Sequence, residues 1–160
     1  MTARLNPFAA DRHAMGAWLT YSQSAAPAIE PGLRHLVHLR ASILNGCANC
    51  VNMHSQEARR DGETEQRVYL VAAWHEAPVY TDRERAALAW TDALTLVATK
   101  GPPDDATYAA LAAEFSPEEQ VQLTQIINVI NGWNRIAVGF GLFDPDPLKT
   151  AHAAREAVPA

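Results

Sequence analysis

Apolar residues recur along this chain at three- and four-residue spacing, and strictly alternating apolar–polar runs are nearly absent. That is the pattern of packed amphipathic helices. A first helix is expected over Phe8 to about Ser24, ahead of breaks at Pro27 and Pro31-Gly32. Leu33 to Leu44 forms a second, with Leu33, Leu36, Val37, Arg40 and Leu44 along one face. A third opens around Cys47 and runs to about Arg60, closed by Asp61-Gly62. Glu65 to Trp74 reads as a fourth, leaving through His75-Glu76-Ala77-Pro78. Thr81-Asp82-Arg83-Glu84 has the reciprocal hydroxyl–carboxylate spacing of a capping box, and its helix runs to about Thr99, before Gly101-Pro102-Pro103. Asp104 or Asp105 begins a shorter Ala-rich helix to about Phe115. Ser116-Pro117-Glu118-Glu119 is a second capping box, with proline at the first helical position. The apolar helix behind it, Glu118 to about Val138, is expected to be the most buried element. Met1 to Pro7 reads as a loose or docking arm, and the tail beyond Asp144-Pro145-Asp146-Pro147 as able to form one more helix. The fold class is all-α: a single-domain helical bundle over residues 1–160, undivided by repeat, low-complexity tract or long linker.

Composition narrows the classes of function. A chain of 160 residues can bury one proper core, and 48% hydrophobic with 19% charged residues is ordinary for a globular protein. The net charge of −5 and scattered Lys and Arg leave no basic face, so a nucleic-acid partner is not expected. No apolar run approaches a membrane span, so no membrane partner is expected either. The N-terminus lacks the apolar core of an export signal, and the expected location is cytoplasmic. In that compartment a close pair of cysteines is more often catalytic or metal-binding than a structural disulfide.

Both cysteines fall in Asn45-Gly46-Cys47-Ala48-Asn49-Cys50-Val51-Asn52-Met53-His54. Asn45-Gly46 reads as a helix break, and the spacings of three and four put Cys47, Cys50 and His54 on one stripe of the next helix. Cys47 lies near that helix's N-terminus, where the backbone N–H groups and the dipole favour a thiolate. Cys50 has an imidazole one turn along, able to take its proton. An activated thiol, a second thiol within bridging range and a base are what thiol-redox chemistry requires. Two plainer readings stand beside it. The cysteines could be inert buried thiols, or Cys47, Cys50, His54 and His35 could hold structural zinc. Sulfurs on a helical stripe converge poorly on a tetrahedral ion, so no metal and no bound cofactor are expected. For the nucleophile, a terminal dipole contributes about 0.3–1 kcal/mol, whereas a nearby positive charge shifts a thiol by about 1–3 pKa units. A charged His54 would therefore favour Cys50. His35 reads either as catalytic or as a hydrogen-bonded interface histidine, and His38 as solvated. Trp74, Trp90 and Trp133 read as core or interface, Asn131 with Arg135 as a polar buttress at a helix junction, and Asp82-Arg83-Glu84-Arg85 as a capped, solvated first turn.

The run from Leu39 to Cys47 and on to His54 resembles the core motif of alkylhydroperoxidase D-like proteins, of the carboxymuconolactone decarboxylase superfamily. Thr81 to Thr91 and Ile130-Asn131-Gly132-Trp133-Asn134-Arg135 match it too, so the likeness spans about Leu33 to Phe140 and places the domain core at about 33–140. The resemblance implies an all-helical protomer assembling as a homo-trimer or homo-hexamer. It also implies a peroxidase cycle for antioxidant defence. Cys50 would attack a hydroperoxide, Cys47 would resolve the sulfenic acid into a disulfide, His54 would belong to a proton relay, and an external thiol reductant or reducing protein would reset the pair. Two positions depart from the motif: His35 stands where the family commonly has glutamate, and Ile43 where it commonly has glutamine. A histidine is a base near neutral pH but brings no negative charge. The relay is expected either to join His35 with His54 or to recruit another acid, with Glu76 and Glu84 as candidates. The rival readings are a decarboxylase acting on a lactone acid, which needs no paired thiol, and a non-enzymatic redox sensor whose packing changes on oxidation.

Overall fold

A computed structural model describes residues 3–25 and 29–150, and among these all regular structure is helical. The elements are α1 (Pro7–Ala10), α2 (Arg12–Ala25), α3 (Pro31–Leu44), α4 (Ala48–Arg60), α5 (Glu65–Leu70) with a 3₁₀ turn (Val71–Ala73), α6 (Asp82–Thr95), α7 (Val97–Lys100), α8 (Asp105–Glu114) and α9 (Pro117–Phe140).

Caps set most of these boundaries. The Thr81–Glu84 and Ser116–Glu119 capping boxes are both complete, and Asp104 caps α8. Local polar chemistry also explains where the helices depart from expectation. The first expected helix is split at Asp11, whose extended backbone ends α1 while its carboxylate accepts the Ala14 N–H at the start of α2. The fourth helix tightens to 3₁₀ geometry after Leu70, and the helix from Asp82 stops at Thr95, with α7 a separate short turn. The expected break at Pro27, the first two residues of the arm and the tail from residue 151 lie outside the described residues. The rest of the arm docks: the Arg4 N–H bonds the Phe140 carbonyl at the end of α9.

The most buried helix is α3 rather than α9. Eight of its fourteen residues are buried, against eight of twenty-four in α9. Its buried set includes His35, Arg40 and Ser42, polar residues that disguise a core helix in a hydrophobicity pattern. Packed around it are α4, α6 and α9. On one side Leu33 and Val37 join Ala86, Ala87, Leu111, Leu123, Ile126 and Ile127. On the other, Leu36 and Leu39 join Ala58, Val71, Trp74, Tyr80 and Leu88. The run Asp82 to Arg85 is no solvated turn. Arg83 reaches Glu30, Glu119 and the Glu114 carbonyl, Arg85 reaches the carbonyls of Trp74, His75 and Ala77, and Glu84 pairs with Arg67. Bundling of four helix ends, invisible in local spacing, turns that run into a hub.

Candidate active site

The α3–α4 junction is built by backbone geometry. Asn45 caps α3, Gly46 takes a positive φ of 62° that suits glycine, and Cys47 becomes the N-cap of α4. The Cys47 sulfur accepts the Cys50 N–H at 3.4 Å, as a capping oxygen would. Asn45 fixes the corner from above, donating to the Asn131 and Asn134 side-chain carbonyls at 2.9 Å each. Asn131 in turn donates to Thr95, and Arg135 donates to the Asn131 carbonyl, so the polar buttress is present. Asn134, which sequence spacing had not singled out, lies at its centre: fully buried, donating to Ser42 and touching both sulfurs.

Cys47 and Cys50 are free, buried thiols with their sulfurs 2.7 Å apart. A disulfide spans about 2.0 Å, so bond formation needs only a sub-ångström shift. The hydrogen bond from Cys50 lowers the Cys47 thiol to about 7 against opposing burial, helped by the Cys50 and Asn49 backbone N–H groups and the Asn134 side chain. Cys50 moves the other way: its hydrogen bond to Cys47, its burial and the charge on Cys47 all raise it. The shared hydrogen bond is the largest cause of this asymmetry, and the helix-terminal N–H groups that point at Cys47 add to it. It runs against the preference for Cys50 drawn from its nearness to His54.

The histidines occupy the seam between α3 and α4. His54 Nδ1 lies 2.9 Å from Glu57 Oε2, one turn further along α4. Burial raises the Glu57 carboxyl, but the His54 hydrogen bond and the His54, His35 and Arg60 charges outweigh it, so the group stays below its usual range and ionised. An ionised carboxylate only accepts, so in the neutral imidazole Nδ1 carries the proton and Nε2 keeps a free lone pair. That buried Nε2 has no hydrogen-bond partner among the described residues, Cys50 included. His35 repeats the arrangement: Nε2 lies 2.9 Å from Asp61, and its buried Nδ1 has no partner among the described residues. The Asp61 carboxyl is lowered to about 2, chiefly by Arg60 and then by His35. His38 is half-buried rather than solvated. Its ring centroid is 4.6 Å from that of His54, and burial, then the charges of His54, Arg34 and His35, hold it well below the usual histidine value.

The acid beside His54 is thus Glu57. Glu84 is held by Arg67 and by its own capping box, and Glu76 lies exposed on the loop before α6. The i, i+3 spacing of His54 and Glu57 was the available signal. No hydrogen bond joins His35 to His54 among the described residues; each has its own carboxylate. Nor do the described residues include a group of three or more His, Cys, Asp and Glu placed to hold a metal ion.

A cavity of about 400 Å³ opens onto this centre, with Cys47 in its lining together with Gly46, Ala48 and Asn49, and Ala137, Val138, Gly141, Leu142 and Phe143 also lining it. Gly141, in the left-handed conformation, turns the chain out of α9, and Asn49 and Asn52 then pin Asp144 through its N–H and carbonyl. Leu142 and Phe143 are thereby suspended beside Cys47, and Arg4 of the docked arm completes the lining.

An all-helical bundle carrying a paired-thiol centre at a helix N-terminus defines a recognisable class. Residues 12–93 match the model of the carboxymuconolactone decarboxylase family. The chain is 44% identical over 108 residues to the uncharacterized protein YdfG of Bacillus subtilis strain 168, spanning 68% of this chain and 73% of that one. Among solved structures, an Agrobacterium tumefaciens protein of unknown function, provisionally assigned to antioxidant defence as AhpD, superposes with a TM-score of 0.86 at 45% identity, over 89% of this chain and 99% of its own. An uncharacterized peroxidase-related protein with an alkylhydroperoxidase AhpD core, from Ralstonia eutropha JMP134, shares the fold with a TM-score of 0.72 at 21% identity, over 84% and 72% of the two chains. The chain belongs to the carboxymuconolactone decarboxylase family and is of its alkylhydroperoxidase D-like kind. Among the described residues no helix is long and apolar enough to cross a membrane.

Proposed function

We propose that this protein is a thiol-dependent peroxidase of antioxidant defence, in which Cys47 attacks a hydroperoxide and Cys50 resolves the product. The observation that carries the reading is a coincidence at one atom: the sulfur with the lowered pKa is also the one that lines the cavity. Cys47 thiolate attacks the terminal peroxide oxygen, the O–O bond breaks, and the leaving alkoxide takes a proton to become an alcohol. Cys47 is left as a sulfenic acid, having given two electrons. Cys50 then attacks that sulfur, water leaves, and a disulfide remains for an external dithiol to reduce. The order is the reverse of the one the family resemblance implies, and it gives the histidine a task. Cys50 must lose a proton it holds tightly. His54 lies one turn along the same helix, its Nε2 unpartnered and not hydrogen-bonded to Cys50 among the described residues, so the proton would cross to it through a bridging water. Glu57 fixes the tautomer and stabilises the imidazolium that forms, as the carboxylate does in a catalytic triad. As the family resemblance implies, the working form would be a homo-trimer or homo-hexamer, which a solution mass measurement tests.

One equivalent of organic hydroperoxide added to the reduced protein should remove both thiols and two hydrogens from the intact mass. Cys50→Ser should accumulate a trappable sulfenic acid on Cys47. A sulfenic acid trapped on Cys50 in Cys47→Ser, but none on Cys47, would restore the opposite order. Thiols that persist under oxidant would sink the peroxidase reading, and a decarboxylase would keep its activity with both cysteines replaced.

A further inference from the structure

The cavity beside Cys47 has a composition of its own. Ala48, Ala137, Val138, Leu142 and Phe143 give it apolar walls, Cys47 is 1% exposed, and the cation in its lining, Arg4, is exposed. The arm that carries Arg4 is fastened across the end of α9 by its backbone N–H to the Phe140 carbonyl and by Nη1 to the Gly139 carbonyl at 3.2 Å. Those bonds use the backbone and one side-chain nitrogen, and among the described residues no carboxylate pairs with the guanidinium. Remaining N–H groups stay available in the planar fork that matches a carboxylate. With a volume of about 400 Å³ the cavity admits a small organic molecule rather than only hydrogen peroxide.

From these features we infer that the preferred oxidant is an apolar hydroperoxide bearing a carboxylate, such as a fatty-acid hydroperoxide. Arg4 holds the carboxylate, the apolar walls hold the chain, and the peroxide reaches Cys47. This rests on the peroxidase reading for its chemistry but not for its binding site. The redox balance is unchanged: the O–O bond takes two electrons from sulfur, and the product is the corresponding hydroxy acid.

Binding is tested without turnover by protecting Cys47 of the reduced protein from iodoacetamide with decanoate or with decanol. Decanoate should protect at about a fifth of the decanol concentration, the margin of an exposed charged pair. Arg4→Gln should abolish that margin while leaving decanol protection intact, and Arg4→Lys should keep most of it. Equal protection by acid and alcohol in the native protein, or a margin that survives Arg4→Gln, overturns the inference. In a second arm, a fatty-acid hydroperoxide should oxidise the thiols about fivefold faster than its methyl ester at subsaturating concentration, with Arg4→Gln equalising the two. Failure of both peroxides to oxidise the protein sinks the peroxidase reading, while the alkylation arm still decides whether the carboxylate site exists.

Discussion

Two polar seams leave helix α3, and they are finished differently. Toward α6, Arg40 donates Nε and Nη2 to the Asp92 carboxylate and Nη1 to the Ala72 carbonyl, while the Trp74 indole N–H also reaches Asp92. Each nitrogen of that guanidinium is used. Toward α4, His35 and His54 each spend one ring nitrogen on a carboxylate and leave the other buried and, among the described residues, unpartnered. Buried polar atoms in folded proteins are almost always paired, because an unsatisfied one costs about 1–3 kcal/mol. The closed seam therefore reads as scaffold. The open one reads as machinery, where an unused lone pair is what a proton acceptor has to keep.

The largest expected effect breaks the closed seam. Arg40→Met strands a mostly buried Asp92 charge and should lower unfolding stability by about 3–5 kcal/mol in a urea titration. Pairing it with Asp92→Leu should recover most of that loss, because two apolar residues need no partners. In either variant, the thiols of the folded fraction should react with peroxide as before. Loss of thiol chemistry with stability intact would dissolve the contrast.

The open seam should answer in the opposite way. His54→Gln is expected to slow disulfide closure after sulfenic acid formation about a hundredfold, within the range of general base catalysis, while the urea midpoint moves little. Glu57→Gln keeps the shape but not the charge, and should slow the same step about tenfold, a difference of about 1.4 kcal/mol in the barrier. Stopped-flow separation of thiolate oxidation from closure reads both. If either variant slows the first step instead, the base serves Cys47 and not Cys50.

The smallest effect is in pH. Cys47 reacts as the thiolate, so alkylation should fall as pH drops through about 7 and level off above it. Cys50→Ala removes the largest cause of the lowering and should move the midpoint upward, toward an ordinary thiol near about 8.5. An unmoved midpoint would assign the lowering to the helix terminus alone.

Much of this molecule is written locally. The capping boxes at Thr81 and Ser116, the Gly46 corner and the stripe of Cys47, Cys50 and His54 depend on spacings of a few residues, which the sequence carries directly. The His54–Glu57 contact is also local, an i, i+3 pair on one face of α4. Other features had no local signal. Arg40 and Asp92 are 52 residues apart, and Arg4 meets Gly139 across 135. His38 looked like a surface histidine until α4 was laid against it. Periodicity reports which side of a helix is apolar, but not which helix covers it or which polar group is desolvated there. Hydrogen-bond partnership, burial and the shape of the cavity at Cys47 arise only when segments far apart in the chain exclude water together, so those were decided by the tertiary structure.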